Sequence, residues 1–442
     1  MGEMADEIEA AFKDHFDRTP IDPDYDYPKE VCGWEGRDGE LVADVISSAA
    51  GIGPKPAEDI RVVLWTRHFD MELAKMGEEN PFDEFAHYAE KEADDVKSKS
   101  GWLQLEQSLK TQTRYFNRSA QETLTDVFQG IAEHKTGEGR PIIVEAGPGL
   151  QLAAFYRARV FQSYKKLDDA LTRPDKQVGP PPSHAAANGR MNAHGIAVFY
   201  GATTPLIALA EVRPPVHSKV AVGRFELIRN VRLLDVEALR SINLEGSIFD
   251  KDYIQRLKRA KFLEWLSQRI ARPVMPDDEP FEYLATQAIA DFLATEVNPP
   301  LDGILYPSVQ GSENGFNVVL FHAAARVEPL SIPKGTEVYA IVIDTEDEVD
   351  YTVWEETPLP DSSSTSEGQN VPFFAKKFNA LRPADYEPRE PTLRLDVADL
   401  QVHHVNTVKF ETVTHSVTRM RIPKRHEDQE IGWDGGTLKG EL

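Results

Sequence analysis

The spacing of apolar residues changes character twice along this 442-residue chain. From about 58 to 134, charged and apolar residues repeat with a 3.6-residue period, as in FDEFAHYAEKEADDVKS and ETLTDVFQGIAEH, which predicts amphipathic helices. From about 152 to 330, β-branched and aromatic runs such as AVFYGA alternate with helical stretches. Beyond 330, EVYAIVID, DYTVW and LQVHHVNTVKFETVTHSVTRMRI have the composition of strands. This order predicts an α+β protein in three regions: a helical 1–150, a mixed 151–330 and a β-rich 331–442 with a frayed end. PIIVEAGPGLQL marks the first boundary with a short strand and Gly147-Pro148-Gly149. Two glycines without a third, or a strand–helix unit after them, do not make a dinucleotide fingerprint.

Composition narrows the function classes. The formal net charge of −24 excludes a protein that works through a broad basic surface, since backbone binding to nucleic acid needs clustered cations. A small pocket for one anionic ligand stays compatible with that charge. The single cysteine, Cys32, excludes an internal disulfide framework and a Cys-only zinc site, and suits a reducing, cytoplasmic setting. MGEMADEIEAAFKDHF is acidic and lacks an apolar h-region, so no secretory signal is expected, and no run of apolar residues is long enough to span a membrane. Asp22, Asp24 and Asp26 imitate the start of a calcium loop, but Tyr27 and Gly33 stand where Gly and Glu belong. G-x-S-x-G, H-E-x-x-H and P-loop motifs are all missing, and His403-His404 in a strand would face opposite sides, so no metal is expected.

Five features of the middle region carry chemistry. In TPLIALAEV, Thr204 is the expected N-cap and Pro205 the first helical residue, with Pro214 and Pro215 ending the helix. This helix is apolar nearly all round and so is expected to be buried, which makes Glu211 at its dipole-disfavoured C-terminus costly unless it serves a site. A glutamate turned to solvent, or held by a structural arginine, would be spelled the same way. In NGRMN, Gly189 permits close backbone approach, and Arg190 offers a fork for phosphate or carboxylate; an ordinary loop arginine is the alternative. Tyr200 ends the AVFYGA strand as a core residue or as a ring and hydroxyl for a planar ligand. Arg157 and Arg159 in FYRARV share a strand face, for ion pairs or for an anion. Ser308, with Ser312 as a substitute, opens a Gly/Asn-rich loop that is either a self-capped turn or a ligand loop.

Taken in order, Arg190, Tyr200, Glu211 and Ser308 resemble the signature of the RES family. GRMNAHGIAVFYGATTPLIALAEV resembles its core motif, with Met191 in place of a more usual aromatic. YRAR resembles its opening segment and DGILYPSVQGSENGFNVVLF its closing one, so the resemblance spans about 152–325. RYFNRSAQETL and Cys32-Gly33 resemble more loosely a HEPN-like extension, but no histidine follows Arg114 or Arg118 at the spacing of HEPN ribonucleases.

The resemblance implies a helical N-terminal domain, then an ADP-ribosyltransferase-like mixed α/β domain and a β-rich C-terminal extension. It implies a toxin-like enzyme that consumes NAD+ as substrate by hydrolysis or phosphorolysis, or transfers ADP-ribose to a protein or nucleic acid. It also implies an antitoxin or trigger as partner, with oligomers allowed. Glu211 would then stabilise positive charge on the ribose. Arg190 and Arg157 would clamp the pyrophosphate, Tyr200 would stack on nicotinamide, and Ser308 would bond ribose or carboxamide. A non-catalytic interaction module is the competing reading outside enzymes.

Overall fold

The computed structural model describes residues 2–20, 38–77, 80–91, 96–272, 274–308, 315–344, 349–358, 389–409 and 412–420. Cys32, the acidic segment around Asp22–Asp26, Ser312, the Ser-rich stretch 362–369 and the last 17 residues lie outside them. Among the described residues no helix is long and apolar enough to cross a membrane. The architecture is α+β: helices first, a central mixed sheet, then further strands.

The first helices, α1 (Gly2–His15), α2 (Val42–Ala50) and α3 (Pro54–Arg67), close over Ile8, Phe12, Ile46, Ile60, Leu64 and Phe82. A short α4 (Met71–Lys75) follows. A small sheet completes this core, in the order β1 (Phe16–Arg18), β3 (His87–Glu90), β2 (Glu40–Leu41). The sequence around FAHYAEKE predicted helix. It forms β3 because backbone pairing on both sides, with β1 and β2, outweighs the helix preference of its Ala and Glu residues.

Next come α5 (Val96–Thr111) and α6 (Arg118–Phe128), the latter capped by Asn117, whose side chain accepts from Ala120 N–H. The two-residue strand β4 (Lys135–Thr136) then precedes the main sheet. Its members are β5 (Ile143–Ala146), β6 (Ala154–Phe161), β7 (Phe199–Ala202), β8 (Lys219–Leu227), β9 (Val231–Asp235), β11 (Gly303–Pro307), β12 (Phe316–Leu320) and β15 (Leu393–His404). They run in the order β15-β8-β6-β7-β12-β11-β9-β5, and β9–β11 is the parallel pair. Residue 150, where the sequence suggested a boundary, falls between β5 and β6, two strands of this one sheet.

Alternation along the strands sorts the core into two faces. Ile304, Val319 and Leu234 pack beneath a helical layer made of α5, α6, α10 (Tyr253–Ala271) and α11 (Glu279–Thr295). Leu305, Val318 and Leu233 face the other way, with α7 (Tyr164–Thr172), where β13 (Glu337–Asp344) and β14 (Val349–Glu356) form a hairpin over that helix. The short α8 (Pro174–Gln177) follows α7, and β10 (Ile242–Asn243) pairs with β4. On the first face the cover is incomplete. Helix α9 (Pro205–Glu211) packs on Ala158, Val220 and Val222 of β6 and β8, and a gap separates it from α10 and α11.

Among the described residues beyond Leu400 the strand runs to His404, and Val405 then exchanges backbone hydrogen bonds with His217 and Ser218.

Candidate active site

The gap on the first face opens where the sheet itself parts. Strand β6 pairs with β8 along its whole length, but with β7 only at Tyr156↔Ala202. From that point the two strands diverge. Tyr200, Asn317 and Tyr306 stand on neighbouring strands with their side chains on the gap side, set by the pairs Val319↔Tyr200 and Tyr306↔Asn317. Two adjoining cavities of about 330 and 200 Å³ share Tyr200, Glu211, Tyr306 and Asn317.

Helix α9 brings Glu211 to this point. Thr204 accepts from Ile207 N–H and Pro205 occupies the first turn, as the sequence predicted. The expectation that the helix is buried all round is corrected. Ile207 and Ala208 are buried, whereas Leu206 is 51% exposed and Glu211 is exposed as well. The reason is length: a helix of seven residues at the margin of the sheet buries one face only. Glu211 therefore opens onto the cavity, and its Oε2 accepts from Asn317 Nδ2 at 3.3 Å. Asn317 is 2% exposed, and its Oδ1 is buried with no hydrogen-bond partner. Arg213, two residues past Glu211, takes a left-handed backbone (φ +43°) and lines the larger cavity.

Gly189 and Asn192 close a tight bridge that presents Arg190. Asn192 Nδ2 donates to the carbonyls of Ala187, Ala193 and Ile196, and Gln287 Nε2 donates to Asn188 Oδ1 and to the carbonyls of Gly189 and Asn192. The Tyr200 hydroxyl donates to Asn192 Oδ1 at 2.9 Å and accepts from Met191 N–H at 3.0 Å. That hydroxyl is thus committed to the bridge, and the Tyr200 ring is what remains to the cavity. Arg190 Nη1 donates to the carbonyls of Ile270 (2.5 Å) and Arg272 (3.0 Å) at the end of α10, and its guanidinium lies 5.6 Å from the Tyr283 ring centre. A guanidinium has five N–H donors, so these contacts leave capacity for an oxyanion. A further hollow of about 240 Å³, beside Trp102, shares Arg190 and Tyr283 with the site.

Arg157 lines the smaller cavity together with Tyr200 and Glu211. It shares a strand face with Arg159, as expected, and its guanidinium lies over the Phe199 ring. Its Nε donates to Val178 O and its Nη1 to Tyr200 O at 2.6 Å. This bond spans the parted strands and replaces ladder pairing that β6 and β7 no longer make. Burial first, and the Arg159 charge second, bring the Arg157 guanidinium down to about 10. Ser308 follows Pro307, a wall residue of the larger cavity, and its N–H donates to Gly315 O. It is not among the residues lining either cavity.

Burial pushes the Tyr200 phenol up to about 12, and burial with the Glu211 charge raises Tyr306 further. Both hydroxyls are therefore protonated at neutral pH. Tyr306, Asn317, Tyr283 and Arg213 were not singled out in the sequence. Tyr306 stands inside the quoted DGILYPS strand, but nothing local says that it faces Glu211 rather than the core.

The region that holds this site is similar to a known family. Residues 155–342 match the RES domain. The match includes Arg157, Arg190, Tyr200, Glu211 and Ser308, and it begins after the N-terminal helices, for which a HEPN-like origin finds no support. No curated protein and no solved structure matches the chain. The RES domain places this region in a toxin-like family that is generally enzymatic and related to ADP-ribosyltransferases and NAD.

Within the RES domain, Gly189 allows a direct test of the bridge. A Cβ there would stand 2.5 Å from Asn192 Oδ1 and 2.7 Å from Tyr200 Oη, and both atoms are fixed by the bonds above. Gly189→Ala is expected to cost about 1–3 kcal/mol of stability, read as a lowered melting temperature. An unchanged melting temperature would show that the bridge tolerates a side chain.

Proposed function

We propose that the RES domain cleaves the nicotinamide–ribose bond of NAD+ where β6 and β7 part, and passes the ADP-ribosyl group to water or phosphate. The observation that supports this most is Glu211, steadied by buried Asn317 and opening onto a cavity walled by Tyr200, Tyr306 and Arg190. As the C1′–N bond breaks, its electron pair leaves with nicotinamide, and positive charge develops on the ribose. The Glu211 carboxylate stabilises that charge and orients the incoming nucleophile. Water attack gives ADP-ribose, nicotinamide and a proton; phosphate attack gives ADP-ribose 1-phosphate and nicotinamide.

Arg190 holds the pyrophosphate, and Arg213 offers a second cation in the same cavity. Tyr200 packs its ring on nicotinamide or ribose, and Tyr306, held protonated, donates a hydrogen bond. Arg157 acts as a positioning residue through Tyr200 O, and Ser308 contributes at the rim where β11 ends. A dinucleotide pinned at Arg190 has room to continue into the hollow beside Trp102.

Glu211 is exposed, so a larger acceptor could also reach it, which favours ADP-ribosyl transfer as the second reading. Mass analysis of the products separates the readings. With phosphate present, ADP-ribose 1-phosphate is expected beside nicotinamide, and ADP-ribose without it. A mass gain on an added protein or nucleic acid, with neither small product formed, would assign transfer instead.

A further inference from the structure

Two exposed surfaces away from the site have matching chemistry. The first is the connection between α5 and α6, RYFNR at 114–118, which precedes the RES match. Phe116 is 100% exposed and Tyr115 79%. Phe116 also takes the left-handed backbone at φ +56°, where a bulky side chain is an outlier. Strain of this kind persists only where the surroundings enforce it, and it clusters at working sites. Asn117 fixes the connection at both ends. Its Nδ2 donates to Ser108 Oγ at 2.9 Å and Thr113 O at 3.0 Å, and its Oδ1 accepts from Ala120 N–H. Arg114 and Arg118 flank the two rings, exposed and without an ion-pair partner among the described residues. No carboxylate occurs from 107 to 121.

The second surface is the outer face of the β13–β14 hairpin, whose second strand lies beyond the RES match. Cross-strand pairing puts Tyr339 with Trp354, Ile341 with Thr352 and Ile343 with Asp350 on that face. Tyr339, Ile341, Ile343 and Trp354 are between 38 and 53% exposed. The rim is acidic. Glu337 stands directly opposite Glu356, a like-charge pair that destabilises its end of the hairpin, and Asp350 lies toward the other end. No lysine or arginine occurs from 335 to 358.

That rim opposes the same face of a second copy, because like charges would meet. The hairpin instead fits a surface that offers aromatic rings and arginines together, residue types enriched at interfaces. On a chain of net charge −24, the connection at 114–118 is a surface of that kind. Both surfaces are exposed in the one chain, so they can meet between copies.

We propose that the chain self-associates head to tail, the 114–118 connection of one copy docking on the outer face of the β13–β14 hairpin of the next. Tyr115 and Phe116 cover Tyr339, Ile341 and Trp354, and the two arginines face Glu337, Glu356 and Asp350. Because the two surfaces differ, the contact is heterologous, and it closes where the rotation between copies allows and otherwise continues.

Sedimentation velocity on the 442-residue chain across the micromolar range tests this. Association that grows with concentration is expected. Phe116→Gly and Ile341→Asp should each weaken it by about tenfold or more. Glycine adopts φ +56° freely, so the melting temperature of Phe116→Gly should hold or rise while association is lost. An equimolar mixture of the two variants should form a two-chain species, since one keeps an intact hairpin and the other an intact 114–118 connection. A parent chain that stays monomeric, a Phe116→Gly variant that associates like the parent, or a mixture that stays monomeric would each overturn the proposal. Neither substitution touches the NAD+ site, so failure of NAD+ cleavage would leave the result interpretable.

Discussion

Replacing Glu211 by Gln is expected to slow NAD+ turnover by about a thousandfold while leaving KM within a few-fold of the parent. The carboxylate is asked to oppose a charge that exists only as the glycosidic bond breaks, so its loss falls on kcat. Stability should hardly change. Glu211 is exposed, its side chain accepts the 3.3 Å bond from Asn317, and a glutamine oxygen can accept that bond. Substitutions of this kind usually stay within about 0.5 kcal/mol. Steady-state kinetics and a thermal melt on the same sample separate the two effects. A variant with parental turnover would remove Glu211 from the chemistry, and one that loses turnover only by unfolding would make it structural.

Removing residues 1–150 is expected to abolish cooperative folding of what remains. Strand β5 pairs with β9, and its loss exposes an edge of the main sheet. The larger effect is on the helical layer. Trp102 of α5 meets Phe262 of α10 with ring centres 6.2 Å apart, and Phe128 of α6 meets Phe292 of α11 at 5.9 Å. Leu105, Leu109, Leu124 and Val127 complete that contact. Each large apolar side chain newly exposed costs about 1.5–3 kcal/mol, against a net stability of about 5–15 kcal/mol for a typical protein. A chain beginning at residue 151 should therefore aggregate, or bind apolar dyes without a sharp melting transition. A soluble 151–442 chain with a cooperative melt would show that the helices are an appendage.

Local chemistry made the centre of the RES domain readable. Thr204, Pro205 and the apolar run after them specify α9 by capping and helix preference alone, and AVFYGA specifies β7 by composition. Gly189 and Arg190 were marked by what a glycine and a guanidinium can do, and the bridge uses both. Global placement was harder to read. Whether a seven-residue helix is buried depends on how far the sheet extends beneath it, and α9 sits at the margin. Arg157 reads in sequence as an anion ligand or an ion-pair partner, and the hold it takes on the Tyr200 carbonyl follows from the parting of β6 from β7, which no local residue announces. Asn317 lies 106 residues from Glu211, and nothing near it in the sequence announces the contact. Strand β3 reads as helix by its own residues and is extended because two partners meet it. Past His404 the composition still reads as strand, but among the described residues the ladder with β8 ends at Lys219↔His404.

The most direct test of the central claim is nicotinamide release from NAD+ by the purified 442-residue chain. The account predicts release that continues through many turnovers, with one ADP-ribosyl product formed for each nicotinamide. NAD+ that stays intact in water, in phosphate and in the presence of candidate acceptors would contradict it.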